Sequence, residues 1–169
     1  MKRQFKFPDN YLYYSAYVWV EDRNRGVFRI GITDFGQFVL DDIISVSLPE
    51  TGILVERDEE IVSVDSIEGT LIIRAPITGQ IVEINEELRQ SPELLNESPY
   101  NEGWIVELEI DSDDDLDKLM DSNEILDVYQ EELSNEELED EEEEEEEEES
   151  KEFDDEEAYE YSDNITDYE

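Results

Sequence analysis

Between residues 11 and 110 the chain breaks short apolar runs with Gly, Pro, Asn and Asp, and this punctuation dictates many short strands. Residues 11–20 (YLYYSAYVWV) are aromatic and β-branched with rough alternation, which predicts a strand. Asp22-Arg23-Asn24-Arg25-Gly26 form a turn cluster, and residues 27–32 (VFRIGI) read as the return strand of a hairpin. Thr33 can cap a short helix over residues 34–40, with Asp34 in its first turn. Phe35, Phe38 and Val39 share a face of that helix and are expected to pack into the core.

Further strands are expected at residues 43–48, 53–55, 61–66, 70–74, 80–84 and 104–110. Ile67-Glu68-Gly69 makes the tip of one hairpin, where Gly69 is free to take a positive φ. Ser91, Pro92 and Glu93 read as the cap, first position and first-turn acid of a helix whose apolar face is Leu94 and Leu95. Two short helices follow the last strand, one marked by Leu116, Leu119 and Met120, the other by Ile125, Leu126, Val128 and Tyr129. Ser122 is the expected cap of the second. Such spacing of strands suggests a mainly β sandwich or small barrel.

Charge divides the chain. Residues 131–169 hold 24 of the 53 acidic residues and one of the 11 basic ones, so they carry −23 while residues 1–130 carry −19. Glu141 to Glu149 is unbroken glutamate, too polar and self-repelling to build a core, so an acidic tail over 131–169 is expected to be disordered. Residues 1–10 form an N-terminal extension and residues 11–130 the folded domain. A domain of charge −19 should repel nucleic acid and anionic membranes, so neither is an expected partner. With no Cys and no His, disulfides, thiol chemistry, thiolate or imidazole metal ligands and His-based triads are all excluded. No apolar run approaches the roughly 20 residues of a membrane span. No signal-peptide h-region follows the basic start, and domain patterning from Tyr11 leaves no room for a presequence. A soluble, cytoplasmic protein is expected.

Asp111-Ser112-Asp113-Asp114-Asp115-Leu116-Asp117 invites comparison with a calcium loop, but Leu116 and Ser122 stand where such a loop needs Gly and Glu. A solvated helix start is the expectation, and no metal site is assigned. No phosphate-binding Gly loop or nucleophile motif appears, so no enzyme is expected.

Several strings, taken in order, are similar to the H protein of the glycine cleavage system. Trp19-Val20 followed by Gly31-Ile32-Thr33-Asp34-Phe35-Gly36-Gln37 resembles that family's W-V…V-G-I-T-D-[YF]-A-Q. Leu40-Asp41-Asp42-Ile43 with Val46-Ser47-Leu48-Pro49-Glu50, and Ala75-Pro76-Ile77-Thr78-Gly79 with Gln80-Ile81-Val82-Glu83-Ile84-Asn85, resemble two further family strings. Ser91-Pro92-Glu93-Leu94-Leu95-Asn96 with Glu97-Ser98-Pro99-Tyr100, and then Gly103-Trp104, complete the series. The resemblance covers residues 11–129 and stops at the acidic tail. It implies a lipoyl-type fold, a flattened β-barrel or sandwich of two sheets with short helices. It also implies a carrier rather than a catalyst, whose lipoylated lysine at a hairpin tip shuttles an aminomethyl group among the P, T and L proteins.

The gap-free register from Ala75-Pro76 sets the family's V-E-S-V-K-A on Val64-Asp65-Ser66-Ile67-Glu68-Gly69. Glu68 therefore stands at the lysine position, flanked by the matching Asp65, Ser66 and Ile67 and by Gly69. Lipoylation joins a carboxyl to a neutral amine, and glutamate has none. The sequence has no lysine between Lys6 and Lys118 to serve instead. No lipoyl or other cofactor is expected. Two readings stay open: an ordinary H protein with an oddity of sequence or register, or a paralogue that kept the fold and lost the arm. The latter is expected to bind glycine-cleavage P, T or L proteins or lipoate-handling enzymes as a non-catalytic, regulatory module. The competing functions are an adaptor whose acidic tail recruits a basic partner, and a carrier modified elsewhere, at Lys118 or Lys151.

Overall fold

A computed structural model of the chain describes residues 4–134. The chain divides into two units, Met1–Val128 and Tyr129–Glu169, and the described residues of the second, 129–134, are helical. The first unit is mainly β. Its described strands are β1 (Leu12–Ser15), β2 (Val18–Asp22), β3 (Val27–Ile32), β4 (Ile43–Ser47), β5 (Leu54–Val55), β6 (Glu60–Ser66), β7 (Gly69–Arg74), β8 (Gly79–Ile84) and β9 (Val106–Glu109). They form two antiparallel sheets, one of six strands in the order β1-β2-β3-β9-β8-β5 and one of three in the order β4-β6-β7. The expected two-sheet, lipoyl-type architecture is present, although the sheets do not close into a barrel. Val20, Ile30, Ile81 and Leu108 from the larger sheet and Val62, Val64 and Ile73 from the smaller share one apolar core, whose burial supplies the main stabilisation. No helix among the described residues is long and apolar enough to cross a membrane.

Two tight contacts fix the N-terminal half of the larger sheet. Trp19 is fully buried, pairs with Gly31 across β2 and β3, and donates its indole N–H to the Pro99 carbonyl at 2.9 Å. A Cβ at Gly31 would lie 2.4 Å from the indole ring, so the close approach requires glycine. Thr33 then caps α1 (Asp34–Leu40) as the sequence predicts, accepting from the Gly36 N–H at 3.0 Å. Its hydroxyl also donates to the Ala16 carbonyl at 2.5 Å, while its own N–H donates to the Tyr17 carbonyl at 2.9 Å.

Those bonds explain the first departure from the sequence reading. The single strand expected over 11–20 is two strands, β1 and β2, reversed at Ala16 and Tyr17. Thr33, distant in sequence, takes the carbonyls that a continuous strand would commit to its ladder. A second departure is the shared face of α1: Phe35 is buried, but Phe38 is 49% and Val39 39% exposed. Here the helix buries Gly36, Gln37 and Leu40 beside Phe35, and Phe38 rests against Phe5, 5.0 Å between ring centroids. The segment before β1 reaches the core as well: Phe7 is buried, Tyr13 donates its hydroxyl to the Pro8 carbonyl, and Tyr100 donates to that of Lys6.

The C-terminal helices differ in detail. Residues 91–93 make a turn, with the Leu94 N–H donating to the Ser91 carbonyl, and α2 (Leu94–Glu97) starts after it with no side-chain cap. The helix expected around Leu116 to Met120 is one 3-10 turn, Leu116–Lys118, because Met120 leaves it to exchange backbone hydrogen bonds with Tyr13. Residues 122–128 are helical, but Asp121, not Ser122, is the cap. The Asp121 carboxylate accepts from the N–H groups of Asn123 and Glu124, and Ser122 donates instead to Asp9. Of the tail for which disorder is expected, residues 131–134 are helical and the rest lies outside the described residues.

Replacing Gly31 by alanine forces a methyl group into the Trp19 indole. Denaturant unfolding of Gly31→Ala is expected to show a loss of about 1–3 kcal/mol, the usual cost of overpacking.

Candidate functional site

The hairpin of β6 and β7 closes on the pair Ser66 and Gly69, leaving Ile67 and Glu68 as the two turn residues. Gly69 carries the positive φ, +138°, whereas neither turn residue does. Backbone strain thus falls on glycine, and the turn accepts ordinary L side chains at 67 and 68. Ser66 is buried and organises the turn from within. Its hydroxyl donates to the Gly69 carbonyl at 3.0 Å and accepts from the Glu68 N–H at 3.2 Å. Asp65, one residue earlier, accepts from Ser45 on β4 at 3.2 Å and from Thr70 on β7 at 2.7 Å, stitching all three strands of the small sheet.

The tip is also tied to the helical side of the domain. The Ile67 N–H donates to the Asp42 carbonyl at 3.1 Å. Asp42 follows Asp41, which has a φ of +57°, an unusual value for a side-chain-bearing residue. That corner is held by Asn96 of α2. The Asn96 amide donates to the Asp41 carbonyl at 2.7 Å and to the Gln37 side-chain oxygen at 3.2 Å, and its own oxygen accepts from the Ile43 N–H at 3.2 Å. Asp65, Ser66, Ile67, Glu68 and Gly69, all singled out from sequence, are therefore gathered at one tip. Asn96, Asp41 and Asp42, which support it, carry no site signal of their own in the sequence, although all three lie within the family-like strings.

At this tip Ile67 is 57% exposed and the Glu68 side chain is exposed. Among the described residues no cation lies within ion-pair distance of the Glu68 carboxylate. A free carboxylate on a fixed turn can accept hydrogen bonds or pair with a partner's cation, but it offers no amine for acylation.

The acidic segment 111–117 leads into the 3-10 turn Leu116–Lys118, close to the helix start expected of it, but Asp115 at the cap position makes no side-chain cap bond to that turn. Asp115 reaches across to accept from the Thr78 N–H at 2.8 Å and pairs with Lys118 at 3.1 Å. Hydrogen bonds from Thr78, followed by Lys118, hold its carboxyl below the ordinary aspartate value. Among the described residues no three carboxylates are grouped so that they could hold a metal ion.

Two outcomes follow. Asn96→Ala leaves the Asp41 carbonyl and the Ile43 N–H without their partner, so stability is expected to fall by about 1–3 kcal/mol and amide exchange at Ile67 to quicken. Because the folded value of Asp115 is depressed, its contribution is complete above the unfolded aspartate value and is lost as pH falls through the folded one. An NMR titration should find Asp115 protonating at lower pH than an unpartnered aspartate, and Thr78→Ala should shift it upward.

Comparison with known proteins bears on this geometry directly. A family model described as the glycine cleavage H-protein matches residues 11–132. The glycine cleavage system H protein of Vibrio campbellii is 41% identical over 132 residues, covering 78% of this chain and 100% of the relative. That of Brevibacillus brevis is 42% identical over 118 residues, covering 70% of this chain and 93% of the relative. A crystal structure of a glycine cleavage system H protein from Mycobacterium marinum superposes with a TM-score of 0.61 at 27% identity, covering 70% of this chain and 95% of that one. The family match, the relatives and the structural likeness agree, and the chain belongs to the glycine cleavage H-protein family.

Proposed function

We propose that this chain is an H-protein-like binding module that is not lipoylated at its hairpin tip and acts on protein partners without carrying an aminomethyl group. One observation carries the reading: the tip residue, aligned with the family's lysine by a gap-free register, is Glu68, an exposed carboxylate. Acylation of that side chain would need a neutral amine, so the residues present do not fit the lipoyl group. The fold around the tip supports retention of the family's surface. Ser66, Asp65 and the Ile67–Asp42 bond hold the turn without using the Glu68 side chain, so loss of the lysine costs the fold little.

The partners best suited to such a module are those that recognise the H-protein surface: glycine-cleavage P, T or L proteins, or lipoate-handling enzymes, in the cytoplasm. Binding them without accepting lipoate makes the module regulatory rather than catalytic. The alternative of a carrier modified elsewhere is weakened by the setting of Lys118, which sits in a 3-10 turn paired with Asp115 rather than on a hairpin. Recruitment of a basic partner by the acidic tail is the other reading, and it rests on residues outside those described.

The test restores the nucleophile. Full-length Glu68→Lys, incubated with a lipoate ligase, ATP and lipoate, is expected to gain one lipoyl group by intact mass, whereas the wild type gains none. Lipoylation of the wild-type chain, or failure of the well-folded variant to be modified, would overturn the reading.

A further inference from the structure

The six-stranded sheet ends at β5, whose outer side has no partner strand among the described residues. The opposite end is covered, since Tyr13 of β1 exchanges two backbone hydrogen bonds of 2.8 Å with Met120. An open edge is a template for another extended segment. This one is apolar: Leu54 is 75% exposed and the preceding Ile53 43%. A groove of about 610 Å³ adjoins it across the β5–β8 pair, lined by Leu54 and Gln80 together with the carboxylates of Glu56, Glu59, Asp111 and Asp114. Its far wall is held in place by Asp115, through the Thr78 N–H and Lys118. Among the described residues Asp115 is the one carboxylate of this groove that is ion-paired.

We infer that the open β5 edge and this groove dock an extended segment of a partner protein that carries basic and apolar residues on one face. Side chains two apart in a strand share one face, so apolar and basic residues at i and i+2 would together meet Leu54 and the carboxylates of the same groove. The charge selects the occupant. A second copy of a chain with net charge −42 is repelled by the same carboxylates, whereas lysine or arginine is attracted. The position leaves the tip free. Glu59 precedes the first residue of β6 and the tip follows its last, so the groove and Glu68 stand about 20 Å apart along the strand. A partner could therefore hold the module by the groove while the tip faces a second protein.

The test uses the full-length chain and a peptide of about eight residues repeating Lys-Lys-Val-Val, so that each face of the extended peptide carries both types, titrated at about 50 mM salt and followed by calorimetry and amide NMR. Shifts are expected at Leu54, Gln80 and Asp114. Asp114→Lys and Leu54→Glu should each weaken binding about tenfold. Glu102→Lys, an equal charge change outside the groove, should alter it less than about twofold. Shifts confined to residues 131–169, or equal effects of Asp114→Lys and Glu102→Lys, would assign the binding to the tail or to bulk charge and overturn the inference. So would the absence of binding, or sedimentation showing that the chain self-associates until Leu54→Glu abolishes it. That last result would make the occupant a second copy.

Discussion

A single buried side chain, Thr33, joins the parts on which the rest of the domain is built. Its hydroxyl caps α1 and holds the Ala16 carbonyl, and its N–H holds the Tyr17 carbonyl. The β1–β2 reversal, the end of β3 and the entry to α1 are thereby set by one residue with no exposed surface. A buried hydroxyl must satisfy its donor and its acceptor, so these constraints are met together or not at all. From α1 the order passes through the Asn96 clamp to Asp42, and from Asp42 to the Ile67 N–H. The hairpin tip is thus positioned by contacts far from it in sequence.

The tip residue on which the proposed function turns contributes little to this scaffold. Ser66 and Gly69 close the turn, Asp65 ties the three strands, and Glu68 contributes its backbone N–H alone. An exposed side chain on a turn with ordinary φ is free to vary, because neither packing nor backbone strain selects it. Under the proposed function, family membership and family chemistry separate at position 68. The family match over residues 11–132 establishes the first, and one exposed carboxylate carries the proposal about the second.

Charge is distributed so that the two ends of β6 differ. At one end stands an isolated carboxylate on a rigid turn. At the other, several carboxylates flank an apolar sheet edge. Native proteins commonly place charge beside an open edge to prevent pairing between copies. Here the same charges also determine which foreign strand could pair, because an edge that repels anions admits cations.

Local patterns were enough to read most strands, the hairpin tip, the Thr33 cap and the positive φ of Gly69. Each depends on residues within a few positions of one another. The family and its two-sheet fold followed from strings in fixed order. What the sequence left undecided is what distant groups impose. Thr33 splits a continuous β-branched run into two strands, and Phe5 shares Phe38 with solvent where periodicity predicts core. Met120 abandons a helix to pair with Tyr13. Asp9 draws Ser122 away from the cap position that Asp121 fills. Asn96 and Asp42 became part of the candidate site only once the chain was folded, since a backbone carbonyl has no sequence signature and an asparagine's partners are set by tertiary approach. Propensity and turn chemistry act within a few residues, whereas hydrogen-bond partners and burial are allotted by the whole fold.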